Sequence, residues 1–274
     1  MLQTIERERI PTLGRDMNAM KKKHLASIIG LALAVTVGGC GGDNDSNSPP
    51  APAPIASSAE GLYSGSTNTN RTITNVVLDN GTYYFFYSVP ANPALLAGLV
   101  QGNGTSSNGS FTSSNAKDFN VERPGVLSAT IAASYAERQS LNGSISSPGP
   151  SVTTFTSTYD TAYDTTPTLA SLAGTYTGQA GSSAQGVQSA TVTVTATGAF
   201  SAVEADGCTF SGTASPRSRG NIFDQSVTFG GAPCEFPGTT LVGIAFLDVP
   251  NRRLYGAAPA GNRTNVVIFS GTRP

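Results

Sequence analysis

Few residues in this 274-residue chain are able to do chemistry, and their spacing restricts them further. The one histidine, His24, and all three methionines (Met1, Met17 and Met20) lie before Val37, and tryptophan is absent. Beyond that point no Ser-His-Asp or Cys-His arrangement can be assembled, and the commonest zinc and iron ligand sets fail with it. Lys117 is the only lysine after Lys23, and the glycine-rich "QGNGTSSNG" (Gln101 to Gly109) lacks the lysine of a phosphate loop. Carboxylate chemistry needs just two acids, and Asp160 and Asp164 recur in "YDTAYDTT", where a helix would put them on one face. A glycosidase pair must flank a sugar cleft, however, and this stretch reads as a polar connection. The sequence assigns no catalytic residue, no cofactor and no metal ligand.

The cysteines divide into a pair, Cys208 and Cys234, and a single Cys40. A redox or metal pair calls for C-x-x-C spacing or histidine partners, and neither is present. The pair is expected as a structural disulfide, closing a loop of about 27 residues and contributing about 3–4 kcal/mol in the chain-entropy view. Cys40 follows three lysines (Lys21 to Lys23) and an apolar run of about thirteen residues, Leu25 to Val37. Crossing a bilayer takes roughly twenty, so this is the layout of a secretory signal peptide. Its end, Val37-Gly38-Gly39-Cys40, resembles the lipobox of bacterial lipoprotein precursors. That resemblance implies acylation of the Cys40 sulfur, cleavage just before it, and acylation of the new amino group. Two or three acyl chains hold a protein firmly on a membrane where one does not. With Gly41 rather than aspartate after the cysteine, the resemblance points to the outer membrane. The polar residues ahead of Met20 place the true start at Met17 or Met20. Residues 1–39 are thus read as signal peptide and 40–58, "CGGDNDSNSPPAPAPIASS", as a disordered tether.

With residues 1–39 removed, ten basic and fourteen acidic residues remain, a net charge of about −4. Nucleic acid, which requires a clustered basic face, is excluded as a partner. Charged residues are only 12% of the chain while glycines number 31, so polarity must come from hydroxyls and punctuation from glycine turns. The hydropathy period is two. Ala190, Val192, Val194 and Ala196 alternate with threonines, and Leu127, Ala129, Ile131, Ala133 and Tyr135 form a second row. "TTLVGIAFLDV" and "RTNVVIFSGT" are apolar on both faces and read as buried strands. The one short helix expected starts at Pro167, capped by Thr166 and ended by Gly174. The fold class is all-β and antiparallel, with two small barrels or sandwich-like units at 59–166 and 167–274, or one intertwined domain in their place. Gly61-Leu-Tyr63-Ser-Gly65 is echoed by Gly174-Thr-Tyr176-Thr-Gly178, and "LNGSISSP" by "FSGTASP".

The run Tyr83-Tyr84-Phe85-Phe86-Tyr87 must bury one face in a core. The other face, with Tyr84 and Phe86, is either covered by a loop or helix such as "NPALLAGLV" or left as a contact surface. "LASLAGTYTG" resembles the start of a lipocalin or calycin barrel, in which a short helical turn leads to G-x-W and a late arginine packs on that ring. The resemblance implies that Tyr176 stands for the tryptophan and Arg273 for the arginine. The expected function is a lipid-anchored outer-membrane lipoprotein with a non-enzymatic binding or structural body and an unidentified macromolecular partner. The alternative is a calycin-like carrier of a small apolar ligand. Large apolar residues (Phe200, Phe210, Phe229, Phe246 and Phe269) are expected to fill a small barrel and leave a packed core with no ligand cavity, which puts any recognition on outer faces and loops.

Overall fold

Alternating sequence becomes alternating burial along seventeen strands in the computed structural model, which describes residues 57–274. Cys40 and the expected signal peptide and tether lie outside the described residues, apart from Ser57 and Ser58. The first group of strands is β1 (Gly61–Thr67), β2 (Thr72–Val77), β3 (Thr82–Val89), β4 (Asn92–Asn103), β5 (Thr105–Ser107), β6 (Ser110–Asn120), β7 (Gly125–Ala136), β8 (Ser140–Ser146) and β9 (Val152–Tyr159). All neighbours are antiparallel; β1 pairs with β9, and β4 pairs with β6 through Gly98 to Gln101, which closes eight of the strands into a barrel. The short β5 only extends the ladder of β6. The second group is β10 (Gly174–Ser182), β11 (Gly186–Val194), β12 (Ala199–Glu204), β13 (Thr209–Pro216), β14 (Phe223–Phe229), β15 (Thr240–Asp248), β16 (Arg253–Pro259) and β17 (Val266–Thr272). These form a second closed barrel, each strand pairing with the next and β17 with β10. Closure leaves the three-residue β5 as the one free sheet edge among the described residues, and barrel closure is how antiparallel proteins avoid edge-to-edge association.

The two barrels belong to one compact unit, Ala53–Pro274. Each has an interior core, and a third core lies between them. The alternation of β3 explains the third. Tyr83 and Phe85 point into the first barrel, while Tyr84 (6% exposed) and Phe86 (1%) point at the second. Phe86 meets Phe246 of β15 at 5.6 Å between ring centroids and Tyr255 of β16 at 5.5 Å. Those two rings are stacked on each other at 4.9 Å. Ile268 of β17 and Ile244 of β15 complete the opposing wall. The contact surface expected at Tyr84 and Phe86 is therefore corrected: a barrel wall covers them. "NPALLAGLV" is not their cover, since it forms part of β4. Polar contacts ring this core, with Arg263 donating to the Gln101 side chain (2.9 Å), Arg253 to the Ala94 carbonyl (2.8 Å) and Arg217 to Asp79 (2.8 Å).

The G-x-Y-[ST]-G echo is a repeat in three dimensions. Each copy opens its barrel's first strand on a glycine of positive φ, +157° at Gly61 and +146° at Gly174. Each tyrosine is fully buried, and its hydroxyl donates 3.0 Å to the carbonyl four residues earlier, Ala59 for Tyr63 and Leu172 for Tyr176. The second glycine of each motif lies against a neighbouring strand, where an added Cβ would sit 1.8 Å from the Thr156 carbonyl oxygen or 2.1 Å from that of Ser270. The other echo does not hold: "LNGSISSP" occupies β8, the seventh barrel strand of its unit, and "FSGTASP" occupies β13, the fourth of its own. The helix is also shorter than expected, Leu169–Leu172 capped at Thr168, because Thr168 is extended (φ −125°, ψ 135°) rather than helical.

The chain enters the described unit at the closed end of the first barrel. There Ala59 donates its backbone N–H to the Ser106 hydroxyl (3.0 Å), and Glu60 accepts from the Tyr163 hydroxyl (3.0 Å) and pairs with Arg219 (2.7 Å). Truncating Phe86 would open a cavity in the shared core. Phe86→Ala should therefore lower the stability of the whole described unit by about 3–5 kcal/mol, read as an earlier midpoint in urea unfolding. A change below about 1 kcal/mol would mean that the walls close over the gap.

Candidate functional site

Each barrel has one sealed end and one mouth. In the second barrel the seal is Tyr176, over which the Arg273 guanidinium lies 5.5 Å from the ring centroid while donating 2.5 Å to the Ala173 carbonyl. The equivalent pair in the first barrel is Tyr63 and Tyr159, ring centroids 5.5 Å apart and nearly perpendicular, with Arg138 over the outer face of Tyr159 at 5.4 Å. Asp160 and Asp164 sit beside this end in local structural roles. Asp160 caps the turn Thr161–Asp164 by accepting from the Ala162 N–H (2.9 Å), and Asp164 accepts from the Tyr159 hydroxyl (2.6 Å) and pairs with Arg138.

The second barrel's mouth is where Cys208 and Cys234 form a disulfide, 26 residues apart, tying the β12–β13 turn to the β14–β15 loop. A pocket of about 180 Å³ beside it gathers Glu204, Asp206 and Glu235. Gln188 donates to Glu204 (2.7 Å) and Asn265 to Glu235 (2.5 Å). The second oxygen of Glu235 is buried with no hydrogen-bond partner among the described residues. Loss of water raises the Glu204 carboxyl from its ordinary value near 4.5 to about 7, and the charge of Asp206 adds to it. Deeper inside, the apolar cavity holds only about 50 Å³, between Val192, Phe210, Val227 and Phe269. No three cysteine, histidine or acidic side chains converge as a metal-binding group among the described residues.

The first barrel's mouth is wider, about 420 Å³, within the range of small-molecule sites. Tyr87, the last inward aromatic of β3, donates its hydroxyl to Asp118 of β6 (2.7 Å). Gly98 on β4 makes the room: a Cβ there would lie 2.2 Å from the Tyr87 hydroxyl oxygen. Arg71 stacks on the Tyr87 ring at 5.5 Å, donates to the Ser88 carbonyl (2.7 Å) and pairs with Glu122 (2.9 Å). Burial lifts the Asp118 carboxyl above its ordinary range, opposed by the Tyr87 hydrogen bond and by Arg71. Ile73, Val100, Ile145 and Leu127 supply apolar walls, and the loop through Pro148 and Pro150 forms one rim. Leu127 continues the inward row of Ala129 and Ile131 yet is 53% exposed, because at its level the barrel is open. The packed core expected from the large apolar residues is found in the second barrel, although Phe246 faces the core between the barrels; the first barrel has ligand-sized space at this mouth, which corrects the expectation that recognition falls on outer faces and loops alone.

Sequence reasoning did not single out Arg71, Tyr87 and Asp118. A signal existed in the inward row of β6, where an acid succeeds Phe111 and Ser113, but the ladder slips between Ser113 and Ala116 and hides the parity. No family model, curated protein or solved structure gives a significant match to this chain.

Two outcomes check this geometry. Tyr176→Ala should cost about 3–5 kcal/mol of stability and Arg273→Ala about 0.5–2 kcal/mol. The double variant should depart from their sum, as contacting residues do. For Glu204, a raised folded-state pKa means that the folded state holds the proton more tightly than the unfolded chain. Its ionisation therefore removes stability as pH rises from about 4.5 through about 7. Thermal melts across that window should show the decline, and Glu204→Gln should flatten it.

Proposed function

We propose that this protein is an exported lipoprotein, held at the outer membrane by acyl chains on Cys40, whose paired barrels act as a non-enzymatic binding module. The lipobox-like Val37-Gly38-Gly39-Cys40 supports the anchor, and the Cys208–Cys234 disulfide fits an oxidising envelope compartment. The observation that carries the binding role is the first barrel's mouth. With the outer aromatic face of β3 committed to the barrel–barrel core, this cavity of about 420 Å³ offers a concave surface for recognition.

The topology supports that assignment. Chain entry at Ser57 and Ala59 is at the end of the first barrel where Tyr63 seals it, and the mouth is at the other end of the same strands. An anchored body would thus offer the mouth on the side away from the entering chain. Small-ligand carriage, the second reading, is favoured by that same cavity and belongs to the first barrel. The second barrel has the calycin-like tyrosine and arginine at its base but is filled. A macromolecular partner would engage loops or outer faces.

Wild-type protein should fractionate with the outer membrane and take up labelled palmitate, and Cys40→Ala should lose both properties. Label persisting in that variant would refute the anchor.

A further inference from the structure

The charges in the first barrel's mouth do not balance. Arg71 is matched by Glu122 at 2.9 Å, and its remaining reach is taken by the Ser88 carbonyl and the Tyr87 ring. Asp118 has the Tyr87 hydroxyl as its one hydrogen-bond partner among the described residues and forms no ion pair. This half-buried carboxylate thus has one donor within the protein, no ion-pair partner, and only the more distant charge of an already paired Arg71 beside it. Apolar side chains line part of the same cavity, Ile73, Val100, Ile145 and, at the rim, Leu127, with threonines and serines lining the rest. Apolar walls beside an anion without an ion pair are a binding pattern.

We propose that this mouth binds a small ligand with an apolar body and an ammonium head, the head meeting Asp118 and the body lying along Ile73, Val100, Ile145 and Leu127. This rests on the reading of the mouth as the protein's binding site and adds the chemistry of what enters it. An ammonium supplies Asp118 with both a further donor and a counter-charge, in a charge-assisted hydrogen bond. An anionic head is disfavoured: the one cation lining the cavity, Arg71, is already paired with Glu122, and Asp118 would repel it. A neutral isostere gains the apolar contact alone. The groups acting on Asp118 are Tyr87 and Arg71, and Arg71 is already paired with Glu122.

The test uses three probes of one shape with different heads: phenethylamine, 2-phenylethanol and phenylacetate. They are titrated calorimetrically into the purified mature protein at neutral pH. Phenethylamine should bind about tenfold or more tighter than 2-phenylethanol, with phenylacetate weakest. Asp118→Asn keeps an oxygen to accept from Tyr87 and should bring phenethylamine and 2-phenylethanol within about threefold of each other. Leu127→Trp, at the exposed rim where folding is little affected, should weaken all three together. Lowering the pH should weaken phenethylamine alone, since protonation of Asp118 removes the counter-charge.

Equal binding of the three, unaltered in Asp118→Asn but weakened by Leu127→Trp, would overturn the ammonium preference and leave the mouth as a binding site. Amine binding untouched by both variants would place it elsewhere and overturn the proposal. No binding of any probe would overturn this proposal and the reading of the mouth together.

Discussion

Phe86, Phe246 and Tyr255 form an aromatic contact through which two barrel walls take each other out of water. An eight-stranded barrel needs only one apolar face per strand, because its exterior is wet. Here β3, β15 and β17 are apolar on both faces, and that sequence pattern requires a covering surface outside the barrel. Each barrel supplies the other's cover. Neither wall could stand exposed without presenting a large hydrophobic patch, so the two units are joined by the same effect that folds each one.

Duplication with divergence describes the interior. Both barrels start on the same buried tyrosine, bonded to the carbonyl four residues before it. The base of the second is capped by a cation and that of the first by a second aromatic ring. The differences grow towards the opposite end. In the second barrel a disulfide draws two loops together over a small acidic pocket. In the first, Gly98 admits the Tyr87 ring, and the space above stays open. The two barrels thus share one architecture and differ at their mouths, a small acidic pocket in one and a wider cavity in the other.

Most of the framework was legible from period and punctuation alone. Rows such as Ala190-Val192-Val194 announce half-buried strands, and an isolated pair of cysteines without histidine announces a disulfide. The resemblance around Tyr176 pointed to its arginine, because that seal is built within one strand and the chain's last residues, but not to the tyrosine's hydrogen bond. The cover over Tyr84 and Phe86 was not legible, since it comes from strands some 160 residues away, as the 159-residue span between Arg253 and Ala94 illustrates. Asp118 was hidden for a different reason: a register shift in β6 breaks the alternation that would have marked it as inward. Similarity between "LNGSISSP" and "FSGTASP" reflects a common demand for small residues in a turning strand, not equivalent positions.

The clamp on Glu60 has a mechanical meaning. Any tension in the preceding chain reaches the body at Ser57 to Glu60, next to Tyr163 and Arg219. From there it runs along β1, which is paired on both sides, to β2 and to β9. A pull along that axis strains the two ladders in shear, so their hydrogen bonds resist together, whereas a perpendicular pull would peel them one at a time. Part of the load also passes through Arg219 directly into the second barrel. The fold is thus strongest along the direction from which its chain arrives.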